Sequence, residues 1–273
     1  MSQLFIQITI MTSTDKHILR QRCAVLVVSC DAYSDLWQPF FSLYHRFWQE
    51  CPCDTYLLTN YAQPNFEDVK PLAIGEDVSW SDNVLAAIDA LPHDYVLLFL
   101  EDLLLHSHVH ADEVQSLMIW AIEHDCNYLR FNPSTPPDKP YNDRIGIVSP
   151  GTLYRASVVL SLFKKDVLRT LLVKGENAWQ FETFATIRSD VFDKFYSTYY
   201  DYFPVLNTVI KGVWEYGAYH AIRRLGIEPS LERRRLMNLK ERTVWQGKLL
   251  RSRLFRFVPP SWRRSVKMAL SGR

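Results

Sequence analysis

A pair of adjacent carboxylates, Glu101 and Asp102, follows directly after the apolar run DYVLLFL at residues 94–100. Two carboxylates at the end of a buried strand lose hydration unless they find a partner. A divalent cation is one such partner, since Mg²⁺ and Mn²⁺ bind carboxylates together with phosphate oxygens. Capping or solvation at a sheet edge is the alternative. The pair is therefore a candidate metal site.

The loop after the first apolar run carries a second group of polar side chains. The run CAVLVVSC occupies residues 23–30, and Ser29, Asp31 and Ser34 surround its end. Ligands of open α/β sheets bind outside the carboxyl ends of the strands, so these three residues are candidates for holding a nucleobase and ribose. Helix capping by Ser34 or Asp35 is the alternative. The absence of a Gly-rich loop in the sequence disfavours a dinucleotide-binding fold and a P-loop.

A third candidate is the pair Trp179 and Glu182, three residues apart in a segment at residues 178–188 with helical spacing. Residues with this spacing share one face of a helix. A Glu beside a Trp in a concave site can act as a general base, with the indole as a platform for a sugar ring. The alternative is a solvent-facing Glu on an amphipathic helix.

The histidines and cysteines are less informative. His106, His108 and His110 would project to one side of an extended segment and could bind a transition metal, but an exposed polar loop is the favoured interpretation. The five cysteines are odd in number and are interpreted as reduced thiols of a cytosolic protein.

The spacing of apolar residues predicts the elements that must position these groups. Strands are expected at residues 23–30, 55–59, 94–100, 128–131, 151–162 and 209–211. Helices are expected at residues 36–48, 82–91, 166–172, 178–188 and 214–225, with a further helix whose N-cap is Asp112. Residues 132–150 contain five prolines and are expected to form a loop. The alternation predicts an α/β fold with a mostly parallel sheet flanked by helices.

Charge is unevenly distributed along the chain, which has a net charge of +1. Residues 223–273 contain fifteen Lys/Arg and three Asp/Glu, a net charge of +12. The preceding residues contain sixteen Lys/Arg and twenty-seven Asp/Glu, a net charge of −11. Bulky apolar residues such as Trp245 and Trp262 alternate with the basic ones, which is typical of a segment at an anionic membrane surface. Nucleic acid would also attract this charge, but the sequence has no recognised nucleic-acid-binding motif, so no nucleic acid is expected.

These features divide the chain into an N-terminal extension (1–22), one globular domain (23–226) and a basic amphipathic helical tail (227–273). Met11 is an alternative to Met1 as the start of the protein. No run approaches the ~20 apolar residues of a membrane-spanning helix. The expected location is cytoplasmic, peripheral at the inner face of the bacterial plasma membrane.

Several stretches resemble, in their order and spacing, a family of bacterial glycosyltransferase-like proteins found in capsule and O-antigen synthesis. They are spread over about residues 25–214 and read VVSCDAYSDLWQPFFSLYHRFW, YLLTN, WSDNVLAAIDALPHDYVLLFLEDLLL, YRASVVLSLFKKDVLRTLL, GENAWQFE and VIKGVW. The resemblance implies a GT-A-like fold, in which a Rossmann-type half is joined to an acceptor-binding half.

The resemblance also implies roles for residues of the donor site. The Asp31 loop and the pair Asp82–Asn83 would contact the nucleotide-sugar, and Lys211 and Trp214 would close over its diphosphate. The pair at 101–102 takes the place of the family's metal-binding motif, although it departs from the commoner Asp-X-Asp pattern. Since adjacent residues on a strand point to opposite sides, Asp102 is the expected metal ligand.

The activity implied is transfer of a hexose from a nucleotide-diphosphate sugar to a glycan acceptor, which is expected to be lipid-linked. Glu182 is similar to the acceptor-activating base of inverting GT-A enzymes, and Tyr154, Arg155 and Trp179 would shape the acceptor site. Two alternatives remain open. One is a sugar nucleotidyltransferase, which would release pyrophosphate, and the other is a non-catalytic scaffold of a polysaccharide assembly complex.

Overall fold

The computed structural model describes residues 12–133, 136–255, 258 and 262–266, and most of its strands belong to one large sheet. The strands, numbered in chain order, are β1 (Cys23–Val28), β2 (Asp54–Thr59), β3 (Val69–Ala73), β4 (Tyr95–Leu100), β5 (Leu103–Leu105), β6 (Tyr128–Arg130), β7 (Lys139–Pro140), β8 (Ile145–Ile147), β9 (Ser161–Lys164), β10 (Phe195–Thr198), β11 (Val205–Asn207), β12 (Val209–Ile210) and β13 (Val213–Trp214).

The large sheet has nine strands in the order β3-β2-β1-β4-β9-β6-β10-β8-β7. Strands β3, β2, β1 and β4 are parallel neighbours. Strand β9 is antiparallel to both β4 and β6, and β6 is parallel to β10. Only β8 and β9 of the nine therefore run against the common direction. The predicted α/β class with a mostly parallel sheet is confirmed.

The structure describes eight α-helices, and seven of them, α1 to α7, contribute to the cores on the two faces of this sheet. They are α1 (Ser13–Arg22), α2 (Trp37–Phe47), α3 (Trp80–Ala90), α4 (Ala111–Glu123), α5 (Lys165–Leu171), α6 (Ala178–Arg188), α7 (Tyr216–Arg224) and α8 (Leu239–Phe255).

Strand β1 shows why its sequence is a continuous apolar run. Cys23, Val25 and Val27 join the core beneath α1, α2 and α4, whereas the alternate residues join the core beneath α3, α5 and α6. All six residues of the strand are buried because helices cover both faces of the sheet. The carboxyl ends of β1 and β4 are neighbours, with Val28 opposite Leu100.

The segment after α7 packs beside the last hairpin, which strands β12 and β13 form. The Trp214 amide donates to the Arg235 carbonyl, and the Met237 amide donates to the Trp214 carbonyl. This return brings residues 233–235 next to the loop after β1, which a 3-10 helix occupies at Asp31–Leu36.

One predicted element is wrong in type over most of its length. Residues 151–160 form a loop rather than a strand, and the strand begins at Ser161. Tyr154 and Leu160 have φ angles of 52° and 47°, which interrupt an extended chain. Apolar residues of this loop are buried in the core beneath α3, α5 and α6. Their apolar run in the sequence therefore resembles that of a buried strand.

Other differences concern boundaries and short strands. Trp214 ends β13 and does not begin a helix, because Glu215 caps α7 by accepting from the Ala218 amide. His110 rather than Asp112 is the N-cap residue of α4, and the predicted loop at 132–150 contains β7 and β8. None of the helices in the described ranges combines the length and apolarity that a bilayer-spanning segment requires.

Candidate active site

A cavity of about 630 Å³ opens at the carboxyl ends of β1 and β4. This volume and position are typical of a small-molecule site in an open α/β sheet. Asp77 and Trp80, which the sequence analysis did not single out, complete its wall beside the amino end of α3. Six predicted site residues line the cavity: Ser29, Asn83, Glu101, Asp102, Trp179 and Lys211.

Glu101 and Asp102 lie at the floor of this cavity, directly after β4. The Asp102 carbonyl accepts hydrogen bonds from the Thr208 amide (2.9 Å) and hydroxyl (2.7 Å), which fix the backbone of the pair. Burial raises the pKa of both carboxyl groups, and the charge of Asp102 raises that of Glu101 further. The nearby Arg234 guanidinium opposes both shifts.

The carboxylate pair fits a hard divalent cation. Among the side chains that the structure describes, none donates a hydrogen bond to either carboxylate, so both retain free oxygens. Burial, with mutual repulsion, raises their pKa values by disfavouring the charged forms, and the positive charge of a bound cation would offset that effect. No cluster of three or more His, Cys, Asp or Glu side chains suited to a metal occurs in the described ranges. Mg²⁺ and Mn²⁺ nevertheless bind through one or two carboxylates when waters and substrate phosphates supply the other ligands.

Two residues of the loop after β1 that were predicted to bind the nucleotide-sugar, Asp31 and Ser34, accept hydrogen bonds from other parts of the protein. Asp31 accepts hydrogen bonds from the backbone amides of Asn60, Tyr61 and Ala62 at 2.9–3.1 Å. It therefore joins the loop after β1 to the loop after β2. Ser34 accepts from the Arg233 guanidinium at 2.7 Å. Neither residue lines the cavity, and a donor-binding role for them stays a prediction.

Ser29 reaches the cavity from the end of β1, and its hydroxyl accepts from the buried Trp37 indole at 2.7 Å. Asn83 lines the cavity and donates to the Asp77 carboxylate at 2.6 Å. Its neighbour Asp82 lies outside the cavity, accepting from the Ser79 hydroxyl and the Gly175 amide. These bonds lower the pKa of Asp82 and join the start of α3 to the loop before α6.

The β12–β13 hairpin presents Lys211 at the cavity rim. Its turn consists of Lys211 and Gly212, with φ angles of 51° and 79°. Lys211 is exposed, so its ammonium group is available to an anionic ligand. Trp214 is wholly buried, and its indole donates to the Ser230 carbonyl at 2.9 Å. Trp214 thus anchors the hairpin to the C-terminal segment, while Lys211 faces the cavity.

The predicted acceptor residues separate into two groups. Trp179 is exposed at the cavity wall, in the first turn of α6. Arg155 is buried, and its guanidinium donates to the carbonyls of Val148, Ser189 and Phe192. Tyr154, beside it, also lies away from the cavity lining.

Glu182 lies one turn beyond Trp179 on α6. Its Oε1 accepts from the Ser157 hydroxyl (2.7 Å) and the Val158 amide (3.1 Å). Burial raises the pKa of Glu182, and these two hydrogen bonds oppose the rise. The contacts connect α6 to the loop at residues 151–160, and the catalytic role of Glu182 stays a prediction.

The histidine group does not converge on a common point. His106, His108 and His110 are exposed; His108 packs edge-on against Phe47 and His110 against Tyr202.

Arg234 is a site residue that the sequence reasoning missed. Its guanidinium forms a buried ion pair with Asp35 at 2.8 Å and lies 4.0 Å from the centroid of the Tyr33 ring, which lines the cavity. The only signal for it was the run Arg233–Arg235, which the sequence analysis assigned to a basic tail. In the structure, the positive charge of Arg234 instead acts on the carboxylates of Glu101 and Asp102 in the cavity.

The sequence matches no protein-family model and has no significant match among curated proteins. Solved structures with some likeness include S. aureus TarS 1–349 in complex with UDP, at 9% identity and a TM-score of 0.47. The alignment covers 67% of this chain and 59% of the TarS chain. They also include a UTP-bound UGPase from Acinetobacter baumannii (13% identity, TM-score 0.48; 84% of this chain and 98% of that chain).

A third structure is a Drosophila β1,4-galactosyltransferase 7 in complex with manganese, UDP-Gal and xylobiose. It has 13% identity and a TM-score of 0.31, with 63% of each chain covered. The chain spans less than two thirds of the TarS fragment. These likenesses concern the α/β arrangement alone.

Proposed function

We propose that the chain is a glycosyltransferase that moves a hexose from a nucleotide-diphosphate sugar to a glycan acceptor during synthesis of a bacterial surface polysaccharide. The observation that carries the proposal is the cavity at the ends of β1 and β4, which combines a carboxylate pair, an exposed lysine and an exposed tryptophan. A lysine suits phosphate oxygens, and an indole face suits the C–H face of a sugar ring.

On this proposal Asp102, with Glu101 as a second ligand, holds Mg²⁺ or Mn²⁺. A bound ion would offset the negative charge that develops on the leaving diphosphate. Lys211 binds the same diphosphate from the hairpin turn, where its ammonium group is exposed. Ser29 and Asn83 hold the nucleoside at the ends of β1 and α3. Asp31 and Ser34 shape this part of the site through the loop contacts described above.

Glu182 is proposed as the general base. It accepts the proton of an acceptor hydroxyl as that oxygen bonds to the anomeric carbon. The bond between the anomeric carbon and the diphosphate breaks, its electron pair leaves with the nucleoside diphosphate, and the configuration inverts. Two observations support the assignment: α6 starts at the cavity wall with Trp179, and within the described ranges both hydrogen bonds to the Glu182 carboxylate are accepted by Oε1.

The proposed site of action is the inner face of the bacterial plasma membrane. The support is the basic composition of residues 223–273, together with apolar side chains exposed on α8 such as Leu239 and Leu250. Anionic lipid headgroups attract such a surface. The acceptor would then be a lipid-linked glycan, which is found at the same interface.

The proposal is tested by thermal unfolding of the purified protein with UDP-, GDP-, CMP- and dTDP-sugars, each with and without Mn²⁺. A ligand at a hundredfold excess over its Kd stabilises the native state by ~2.7 kcal/mol. We expect one nucleotide class to raise the Tm, and Mn²⁺ to enlarge the rise. If folded protein shows no shift with any donor, the donor site is wrong and a scaffold function takes its place.

A further inference from the structure

A second cavity, of about 430 Å³, lies on the other side of the β12–β13 hairpin, between that hairpin and α8. One part of its lining is apolar and comes from the hairpin, the return segment and α8: Ile210, Val213, Met237, Val244 and Trp245. The other part is mostly cationic: Lys211, Arg235, Lys240 and Lys248, with Glu241 as the acidic member. The cavity is therefore amphipathic.

Its free positive charge comes from three lysines. Arg235 and Glu241 neutralise each other through two contacts at 2.5 and 2.7 Å. Lys211, Lys240 and Lys248 form no ion pair or hydrogen bond with any side chain in the described ranges. Lys240 and Lys248 lie eight residues apart on α8, so they share one face of the helix with Val244 between them.

The β12–β13 hairpin separates the two cavities. Val209 and Gly212 line the first cavity, Ile210 and Val213 line the second, and Lys211 lines both. Residues of one hairpin thus line both cavities, and the turn at Lys211 belongs to both. An anionic group held at Lys211 in the second cavity would therefore lie beside the proposed diphosphate site.

We propose that the second cavity binds the phosphate and the first hydrocarbon units of the phosphate-linked lipid that carries the glycan acceptor. Lys211, Lys240 and Lys248 would hold the phosphate, and Val244 and Trp245 would contact the chain. A free phosphate would gain nothing from the apolar wall, and a flat bilayer surface would not need a concave site of single-molecule volume. The inference rests on the proposed function, because it names the chemistry of the acceptor.

The test is isothermal titration of the full-length protein with farnesyl phosphate below its micelle concentration. Farnesol supplies the chain without the charge, and inorganic phosphate supplies the charge without the chain. We expect saturable binding of farnesyl phosphate, with each half of the molecule binding at least about tenfold more weakly. Equal affinity for farnesol would overturn the role of the lysines, and the absence of saturable binding would overturn the site.

Variants locate the binding. Lys240→Gln/Lys248→Gln should weaken farnesyl phosphate binding about tenfold or more, since each lysine near an anionic headgroup contributes ~1 kcal/mol. The control is Lys16→Gln/Lys139→Gln, which removes the same charge from exposed positions in α1 and β7 and should change nothing. Equal weakening in both pairs would show a general charge effect and reject the cavity.

Two further measurements distinguish this inference from binding to a bilayer surface and from failure of the proposed function. The first compares vesicles of phosphatidylglycerol with vesicles that contain farnesyl phosphate. If the protein binds both equally tightly, and Lys240→Gln/Lys248→Gln weakens both equally, the lysines bind a bilayer surface and the proposed lipid-phosphate site is rejected. Donor-induced thermal shifts measured on the same variants should be unchanged, because Lys240 and Lys248 lie outside the first cavity. Donor binding without lipid-phosphate binding would reject this inference alone; the reverse would reject the proposed function alone.

Discussion

The buried ion pair between Arg234 and Asp35 predicts a large loss of stability when one partner is removed. Their side chains are 8% and 5% exposed, and two N–H···O contacts of 2.8 and 3.2 Å join them. Arg234 also donates to the Ala32 carbonyl and stacks over the Tyr33 ring. Arg234→Met would leave the Asp35 carboxylate buried without its counter-charge, and the C-terminal segment would lose its main contact with the loop after β1.

Removing one partner of a buried pair costs about 3–5 kcal/mol, because the remaining charge stays desolvated. In a protein of this size each kcal/mol lowers the Tm by roughly 2–4 °C. We therefore expect Arg234→Met to lower the Tm by roughly 6–20 °C. Asp35→Asn/Arg234→Met should recover part of the loss, since neither charge is then left unpaired.

The matched control is the adjacent residue. Arg235 pairs with Glu241, but these side chains are 59% and 33% exposed. Ion pairs between exposed side chains contribute little to stability, so Arg235→Ala should lower the Tm by much less than Arg234→Met does. Differential scanning calorimetry of both variants and the double variant measures the difference.

A second readout connects this pair to the carboxylates. The Arg234 charge holds down the pKa values of Glu101 and Asp102. Arg234→Met should therefore raise them and weaken the stabilisation by Mn²⁺ at pH 7. If Arg234→Met and Arg235→Ala lower the Tm equally, the role of the buried ion pair in docking the C-terminal segment is refuted. If Arg234→Met leaves the stabilisation by Mn²⁺ unchanged, the effect of Arg234 on the cavity is refuted.

Three further predictions concern the cavity. Lys211→Ala should weaken donor binding about tenfold through loss of a charge-assisted phosphate contact, whereas Lys139→Ala should not; titration calorimetry compares them. Glu182→Gln should lower kcat at least about 100-fold with donor Kd unchanged, and normal turnover would reject Glu182 as the base. Without metal, the free energy of unfolding should fall as pH rises from about 5 to 8, because burial raises the pKa of Glu101 to about 8, above its unfolded value of ~4.3, and the native state then binds more protons. Mn²⁺ affinity should rise over the same pH range. Glu101→Gln should reduce the fall of the unfolding free energy with pH and leave the smaller part that Asp102 contributes at the acidic end. Urea titrations at each pH, with and without Mn²⁺, measure these changes.

The sequence predicted the α/β class and the strands that carry the cavity because β1 and β4 have long apolar runs. It also predicted six of the residues that line the cavity, since the ends of such strands are where ligands bind. Short strands such as β10 escaped prediction: FYST contains two polar residues that are buried between β6 and β8, so its apolar signal is weak.

Contacts between distant segments account for what the sequence did not reveal. Arg234 and Asp35 are 199 residues apart and meet only through the return of the C-terminal segment. The sequence pattern of 233–235 is that of any basic surface, so nothing local indicates burial. Likewise, Arg155 resembles a substrate ligand in the sequence, yet three backbone carbonyls take up its guanidinium.

The most direct test of glycosyl transfer follows a radiolabelled sugar from the stabilising nucleotide-sugar into a bacterial lipid extract, with nucleoside diphosphate measured in parallel. We predict that labelled lipid and nucleoside diphosphate form in equal amounts, and that Lys211→Ala and Glu182→Gln lose both products. Release of pyrophosphate from nucleoside triphosphate and sugar phosphate, or donor binding with no labelled product from folded protein, would contradict the proposed function.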